Sequence, residues 1–335
     1  MDYGGVRLTV GWDGRRITAA RVDCHRPQAA QLLVGRPVTE AVALVPRLFS
    51  LCGGAQGAAA YFAAAAAEGN AMPPDTLARM TRHLVLEAIG EHLWRLLLDW
   101  PALLGEPADR ARFLGWRKRL LAVQAGDGRD GADIELADDL HVLLADQPAV
   151  PACADLAGEA PAVLLPWGAA EDWAAAGVDE AFARFPTQEG EAAETGALAR
   201  QSEVPEIAAL LLDDRRIAAR IAARWADLDF LACGLAEPEL LRGWLDAAPV
   251  APGVGLARAE TARGLLLHLM QVKDGRVARY VIVAPTEWNF HPQGAFSGEL
   301  VGSAAATRDD ALMLARRLAL SLDPCVNFEV VVEHA

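Results

Sequence analysis

The chain opens with two runs of alternating apolar and polar residues, VRLTV and ITAARV, on either side of Gly11-Trp12-Asp13-Gly14. Alternation puts every second side chain on one face of a strand, and an Asp-Gly between such runs favours a tight reversal. Residues 1–24 therefore predict a β-hairpin. From Thr39 the period lengthens to that of a helix. In TEAVALVPRLF, Ala41, Leu44, Val45 and Leu48 share a stripe, and Thr39 is placed to cap it. Pro73-Pro74 opens a long helix over 75–99 with Leu77, Met80, Leu84, Ile89, Leu93 and Leu97 inward, and Pro101 is expected to end it. Residues 110–122 predict another, whose Arg110, Arg112, Arg117, Lys118 and Arg119 read first as a solvated face.

Residues 124–192 are the least periodic stretch. Helical spacing returns near 206–233 and 238–248. Alternation then resumes as GLLLHLMQV and RVARYVIV around Lys273-Asp274-Gly275, a second hairpin near 264–285 within 254–290. A final helix over 309–321 leads to Asp323-Pro324-Cys325 and a short apolar tail. The expected architecture is an α-dominant α+β single domain over 1–335, mainly helical over 39–248. Nothing alternates strand and helix as a dinucleotide-binding fold would.

Composition narrows the function classes. With 53% apolar and 23% charged residues, the 335-residue chain can bury a substantial core. A net charge of -14 repels polyanions, so no nucleic-acid partner is expected. Five scattered cysteines do not make a disulfide scaffold. The opening MDYGGVRLTV lacks the basic and apolar regions of a signal peptide, and the apolar run at 58–67 is far short of the roughly 18 residues of a membrane span. These features predict a soluble, acidic, cytoplasmic protein that uses no membrane.

Familiar chemical signatures are missing. GGAQG at 53–57 lacks the Lys-Ser/Thr of a phosphate loop, GVGLAR at 253–258 is not GxGxxG, and neither HExxH nor CxxC occurs. The seven dispersed histidines read as structural, and adjacent Cys24 and His25 point to opposite faces of a strand. Cys153 and Cys233 sit in apolar surroundings that predict buried thiols. Two cysteines stand apart. Cys52 precedes Gly53-Gly54 and an alanine-rich run, at or near a helix N-terminus whose positive end would favour a thiolate. Cys325 follows a rigid Asp-Pro turn. Context alone leaves both open as functional or structural residues.

Five segments taken in order resemble the large subunit of nickel–iron hydrogenases, in shortened form. Arg47-Leu48-Phe49-Ser50-Leu51-Cys52-Gly53-Gly54-Ala55-Gln56 stands against R-I-C-G-V-C-x-x-x-H. Glu194-Thr195-Gly196-Ala197-Leu198-Ala199-Arg200 is similar to E-V-G-P-L-A-R, and Glu260-Thr261-Ala262-Arg263-Gly264 to E-A-P-R-G. Pro285-Thr286-Glu287-Trp288-Asn289 resembles P-T-T-W-N, and Asp323-Pro324-Cys325-Val326-Asn327-Phe328 the closing D-P-C-x-x-C. The resemblance implies a helical large-subunit-like core. It also implies a loss: one cysteine of each pair is Phe49 or Phe328, the two motif histidines are Gln56 and Val331, and the proton-relaying glutamate falls at about Tyr3. Two thiolates cannot complete a four-thiolate nickel site, so no nickel and no catalysis are expected.

This pattern is similar to HupK/HoxV-type hydrogenase maturation proteins, relatives of the large subunit. The resemblance implies a scaffold that transiently carries iron as Fe(CN)2CO on Cys52 and Cys325. The unit would be received from HypC/HupF-type small chaperones with HypD and passed to the hydrogenase large subunit. It further implies that Arg263 and Thr286, with the adjoining Pro285, face the cyanides. An Arg263–Glu260 ion pair and a turn-stabilising Thr286 hydroxyl are the alternatives, and Pro285, Trp288 and Asn289 also read as fold determinants. A metal-free docking protein and a degenerate oxidoreductase are the competing functions.

Overall fold

The alternating amino end forms β1 (Gly5–Trp12) and β2 (Ile17–His25), an antiparallel pair. In their turn Asp13 Oδ1 accepts the backbone N–H groups of Arg15 and Arg16, both at 2.9 Å. The computed structural model describes residues 5–25, 29–49, 51–126, 128, 131–147, 156, 158 and 163–335. Tyr3 and Cys153 lie outside the described residues.

Helices follow: α1 (Val38–Leu48), the alanine-rich α2 (Gly53–Ala67), α3 (Pro74–Trp94), a π-helical turn Arg95–Asp99, and α4 (Trp100–Leu104). Next come α5 (Arg110–Ala125) and α6 (Ala132–Ala145). Between 163 and 201 the chain makes short elements: β3 (Val163–Leu164), α7 (Ala170–Ala176), α8 (Glu180–Arg184), β4 (Thr187–Gln188), β5 (Glu191–Glu194) and α9 (Ala197–Gln201). The helical stretch predicted at 206–233 is broken into α10 (Pro205–Leu212) and the long α11 (Arg216–Ala236). A four-stranded antiparallel meander follows, β6 (Leu245–Ala251), β7 (Val254–Thr261), β8 (Gly264–Lys273) and β9 (Arg276–Val283). The chain closes with α12 (Pro285–Asn289), α13 (Ala295–Leu300), α14 (Arg308–Ser321) and β10 (Phe328–His334).

Three sequence expectations are corrected. Residues 238–248 are not a helix but a 3-10 turn, Pro238–Leu241, running into β6. Gly243 at φ +83 stops the helical path, and pairing with β7 overrides a spacing that buries Leu245 and Ala248. Pro101 does not end the helical path begun at Pro74. The π-turn ahead of it puts the proline in the first turn of α4, where a missing N–H breaks no bond. Thr39 does not cap α1, which starts at Val38 after an extended Pro37. The tail is likewise more than a tail: β10 pairs in parallel with β1, from Val6 opposite Phe328 to Trp12 opposite His334.

Apolar packing settles where these elements meet. α2 buries Ala59, Ala60, Phe62 and Ala63 in one cluster with Ala257, Leu266, Met270 and Tyr280 of the meander. Small side chains let a helix lie close to a sheet, which explains an alanine-rich helix with little amphipathic character. Around α3 and α11 a larger cluster gathers the first sheet, α6 and α14. The basic face of α5 meets acidic α6: Arg119 pairs with Asp139 and donates to the Glu135 carbonyl at 3.0 Å. Among the described residues no helix is long and apolar enough to cross a membrane.

Candidate metal-carrying site

Three loops and two helices bring the site together. Cys52 is the residue immediately before α2, Arg263 sits in the β7–β8 turn, Thr286 in the first turn of α12, and Cys325 between α14 and β10. The second helix is α3, which supplies Glu87 and Glu91 one turn apart.

Charged residues of the resembling segments hold these loops in register. Glu194 accepts two bonds from Arg220 at 2.8 and 2.6 Å, while Arg200 bridges Asp227 (2.9 and 2.6 Å) and Glu260 (2.7 Å). Glu260 is thus taken by Arg200 and Arg258, which removes the alternative of an Arg263–Glu260 pair. Asn289 pins three loops at once. Its Oδ1 accepts the Thr195 N–H at 2.9 Å, and its Nδ2 donates to the carbonyls of Arg263 (3.3 Å) and Leu322 (3.2 Å). Gly196 and Gly264, both at positive φ, let two of those loops touch: a Cβ on Gly196 would lie 2.8 Å from the Arg263 carbonyl oxygen. Trp288 is fully buried against Trp173 and Phe182. Pro285 is the buried first residue of α12, a position where its missing N–H breaks no helical bond.

The Thr286 hydroxyl donates to Cys325 Sγ at 3.0 Å and accepts the Cys325 N–H at 3.3 Å. It therefore orients the thiol rather than merely closing its own turn. Asp323, at φ +56, starts the turn that presents Cys325. Burial would raise the Asp323 pKa, yet Arg224, Arg95 and Arg263 hold its carboxyl well below the ordinary carboxylate range. Arg95 reaches Asp323 Oδ1 at 2.6 Å and the Pro324 carbonyl at 3.1 Å. Arg95 also pairs with Asp99, and Arg263 with Glu91, so the guanidiniums gathered at Asp323 are matched by carboxylates.

Arg263 pairs with Glu91 through Nη1, while its buried Nε has no hydrogen-bond partner; the nearest acid, Asp323 Oδ1, stands 3.6 Å away. Glu91 Oε1 is also buried and unpartnered. Such atoms are costly unless a ligand or water meets them. A cavity of about 700 Å³ opens onto Cys325, Arg263, Glu87 and Glu91, with Arg117 of α5 on its wall. One residue of the basic α5 face therefore looks into the site rather than only into solvent.

Cys52 and Cys325 feel one another. Burial pushes the Cys52 thiol up to about 12, and charge on Cys325, Glu91 and Glu87 adds to the rise, against the lowering effect of Arg263. The helix N-terminus does not favour a Cys52 thiolate as expected, for a specific reason. Glu87 of α3 occupies the free N–H groups of α2, accepting from Gly54 at 2.7 Å and Ala55 at 3.0 Å. A Cβ on Gly54 would lie 2.8 Å from that carboxylate, so only glycine admits it. Burial and adjacent Glu91 push Glu87 itself up to about 7.

Behind Cys52 runs a buried chain. Gln56 Nε2 donates to Cys52 Sγ at 3.6 Å, Gln56 Oε1 faces His268 Nε2 at 2.9 Å, and His268 Nδ1 meets the Tyr280 hydroxyl at 2.8 Å. Burial pushes His268 down to about 3 and Tyr280 up, so both are neutral. With Nε2 protonated, every donor in the chain points toward the sulfur. Phe49 and Phe328, at the two replaced cysteine positions, pack against separate apolar clusters.

Of the residues singled out from the sequence, the fold gathers Cys52, Cys325, Arg263 and Thr286 into one neighbourhood, and Pro285 enters it only as the residue before Thr286. Sequence reasoning missed Glu87, Glu91, His268 and Tyr280. The spacing of Glu87 and Glu91 places them on one helix face, a signal shared with any solvated stripe. His268 interrupts the apolar run GLLLHLMQV, where a lone polar residue announces a buried partner without naming it.

Known proteins resemble the chain at three levels. Residues 241–330 match the nickel-dependent hydrogenase family. The hydrogenase expression/formation protein HupK of Rhizobium leguminosarum bv. viciae is 34% identical, with 98% of each chain covered. HoxV of Cupriavidus necator, also a hydrogenase expression/formation protein, is 32% identical over 91% of each. The nickel–iron–selenium hydrogenase of Desulfomicrobium baculatum superposes with a TM-score of 0.62 at 16% identity, covering 95% of each chain. That last likeness concerns the fold: an α+β architecture of the hydrogenase large-subunit type.

Proposed function

The chain belongs to the HupK/HoxV family of hydrogenase expression/formation proteins, and we propose that it serves hydrogenase maturation as a non-catalytic scaffold. Cys52 and Cys325 hold an Fe(CN)2CO unit transiently, as cargo, on its way to the hydrogenase large subunit. The partners of this reading are HypC/HupF-type chaperones and HypD on the donor side and the large subunit on the acceptor side.

The observation that carries the reading is that Cys325, oriented by the Thr286 hydroxyl, and Arg263, with its buried, unpartnered Nε, face one open cavity, with Cys52 near enough for its charge to interact with that of Cys325. Soft thiolates suit low-spin iron, and charge-assisted donors suit cyanide nitrogens. Two sulfur bonds grip less tenaciously than four, and a cavity of this size leaves the cargo a way out. Metal ligation releases the Cys52 proton that burial otherwise retains.

Infrared spectra of the protein purified with its maturation partners test this directly. Cyanide and carbonyl stretches are expected in the wild type and are lost in the Cys52→Ala/Cys325→Ala double variant. Their absence from the wild type, or persistence in the variant, overturns the proposal. Cysteine variants that still support hydrogenase maturation would identify a metal-free docking protein instead.

A further inference from the structure

A second group of ligating side chains lies away from the cavity. His141 on α6 faces Asp229 and Cys233 on α11: Nε2 stands 3.6 Å from Asp229 Oδ1 and 3.7 Å from Cys233 Sγ. All three ligand atoms lie within 4.8 Å of one another. Sequence context predicted a buried structural thiol at Cys233 and a structural His141. Instead Cys233 is half-buried, and the His141 and Asp229 side chains are 42% and 57% exposed.

We propose that His141, Asp229 and Cys233 form an exchangeable site for a borderline-soft divalent ion of the zinc class, separate from the iron-carrying cavity. The ligand set is one imidazole, one carboxylate and one thiolate, a combination suited to tetrahedral zinc. Spacing supports the geometry. With metal–nitrogen and metal–sulfur bonds of about 2.0 and 2.3 Å, a tetrahedral angle separates N and S by about 3.5 Å, and a right angle by about 3.1 Å. The observed 3.7 Å is compatible with such a tetrahedral site.

Two features preorganise the site. Asp229 and Cys233 are one turn apart on the same face of α11, and α6 packs along that helix through Leu136, Leu140 and Leu228. Glu237, a further turn on, adds negative charge beside the thiol, which favours a bound cation. Ligation releases the Cys233 proton to solvent, and the exposed side leaves the fourth position to water. Arg220, Arg224 and Asp227 of the same helix are buried and engaged in the ion pairs described above, so the two sites use opposite faces of α11.

Cobalt(II) titration of the reduced full-length chain, with zinc competition, tests the proposal. One equivalent is expected to give tetrahedral d–d bands and a sulfur-to-cobalt charge-transfer band, both bleached by zinc. The same spectrum is expected in the Cys52→Ser/Cys325→Ser variant, which separates this site from the iron site. His141→Ala and exposed Asp229→Asn should weaken binding about tenfold or more, and Cys233→Ser should abolish the charge-transfer band, with unchanged circular dichroism. An octahedral spectrum, a charge-transfer band that survives Cys233→Ser, or binding lost only with Cys52 and Cys325 overturns the proposal.

Discussion

Burial at Cys52 raises the thiol pKa, and Glu87 takes the N–H groups that would otherwise offset the rise. Cys52 is therefore a thiol at neutral pH. Glu87 carries a consequence for pH. Its pKa rises from 4.5 to about 7 on folding, so the native state binds an extra proton between those values. Its contribution is greatest below pH 4.5 and declines as the pH rises through 7. Urea midpoints of wild type and Glu87→Gln, measured from pH 4.5 to 8, are expected to diverge: the wild type loses stability across this interval, and the variant, less stable at the outset because its single amide oxygen keeps only one of the two N–H bonds, shows a shallower slope. Parallel curves would contradict the assignment. The two cysteines, Arg263 and Thr286 were legible because motif residues are spaced along the chain. Glu91 was not, since its partner Arg263 is 172 residues away.

Among the elements, α12 does the most with the least length. Five residues deliver a fully buried Trp288, the Thr286 hydroxyl and the Asn289 amide that ties the β5–α9 loop, the β7–β8 turn and the closing loop. Asn289→Ala leaves one N–H and two carbonyls short of a partner and should cost about 2–4 kcal/mol, read as a lower urea midpoint. The Arg263 and Cys325 loops should then lose hydrogen-exchange protection before α3 does. An unchanged midpoint would remove the pinning role. Both hairpins were readable because alternation and Asp-Gly turns are local signals: Asp274 and Gly275 take φ of +51 and +69, as a tight primed turn requires. β6 was not readable, because its apolar spacing suits a helix until β7 supplies hydrogen-bond partners.

Across the whole molecule, the two ends are joined. β10 lies parallel to β1 over seven residue pairs, and Cys325 is held between that strand and α14. Removing 328–335 exposes the edge of β1 and the apolar surface covered by buried Val332, at a cost of at least about 2 kcal/mol. Calorimetry should show a lower Tm, and Cys325 should alkylate faster than in the full chain; an unaltered alkylation rate would mean that the Asp323 turn alone positions the thiol. A parallel pairing of distant ends leaves no local mark, which is why the last eight residues read only as an apolar tail. By itself, the order of residues determined the helix-dominated class, both hairpins, the family likeness and the halved set of thiols, because each is written in periodicity or in residue identity over a few positions. Only the tertiary structure decided which carboxylates stand beside those thiols, which end of a helix is already occupied, and which histidine meets a cysteine across two helices. Those are properties of distance between remote segments, and packing alone sets that distance.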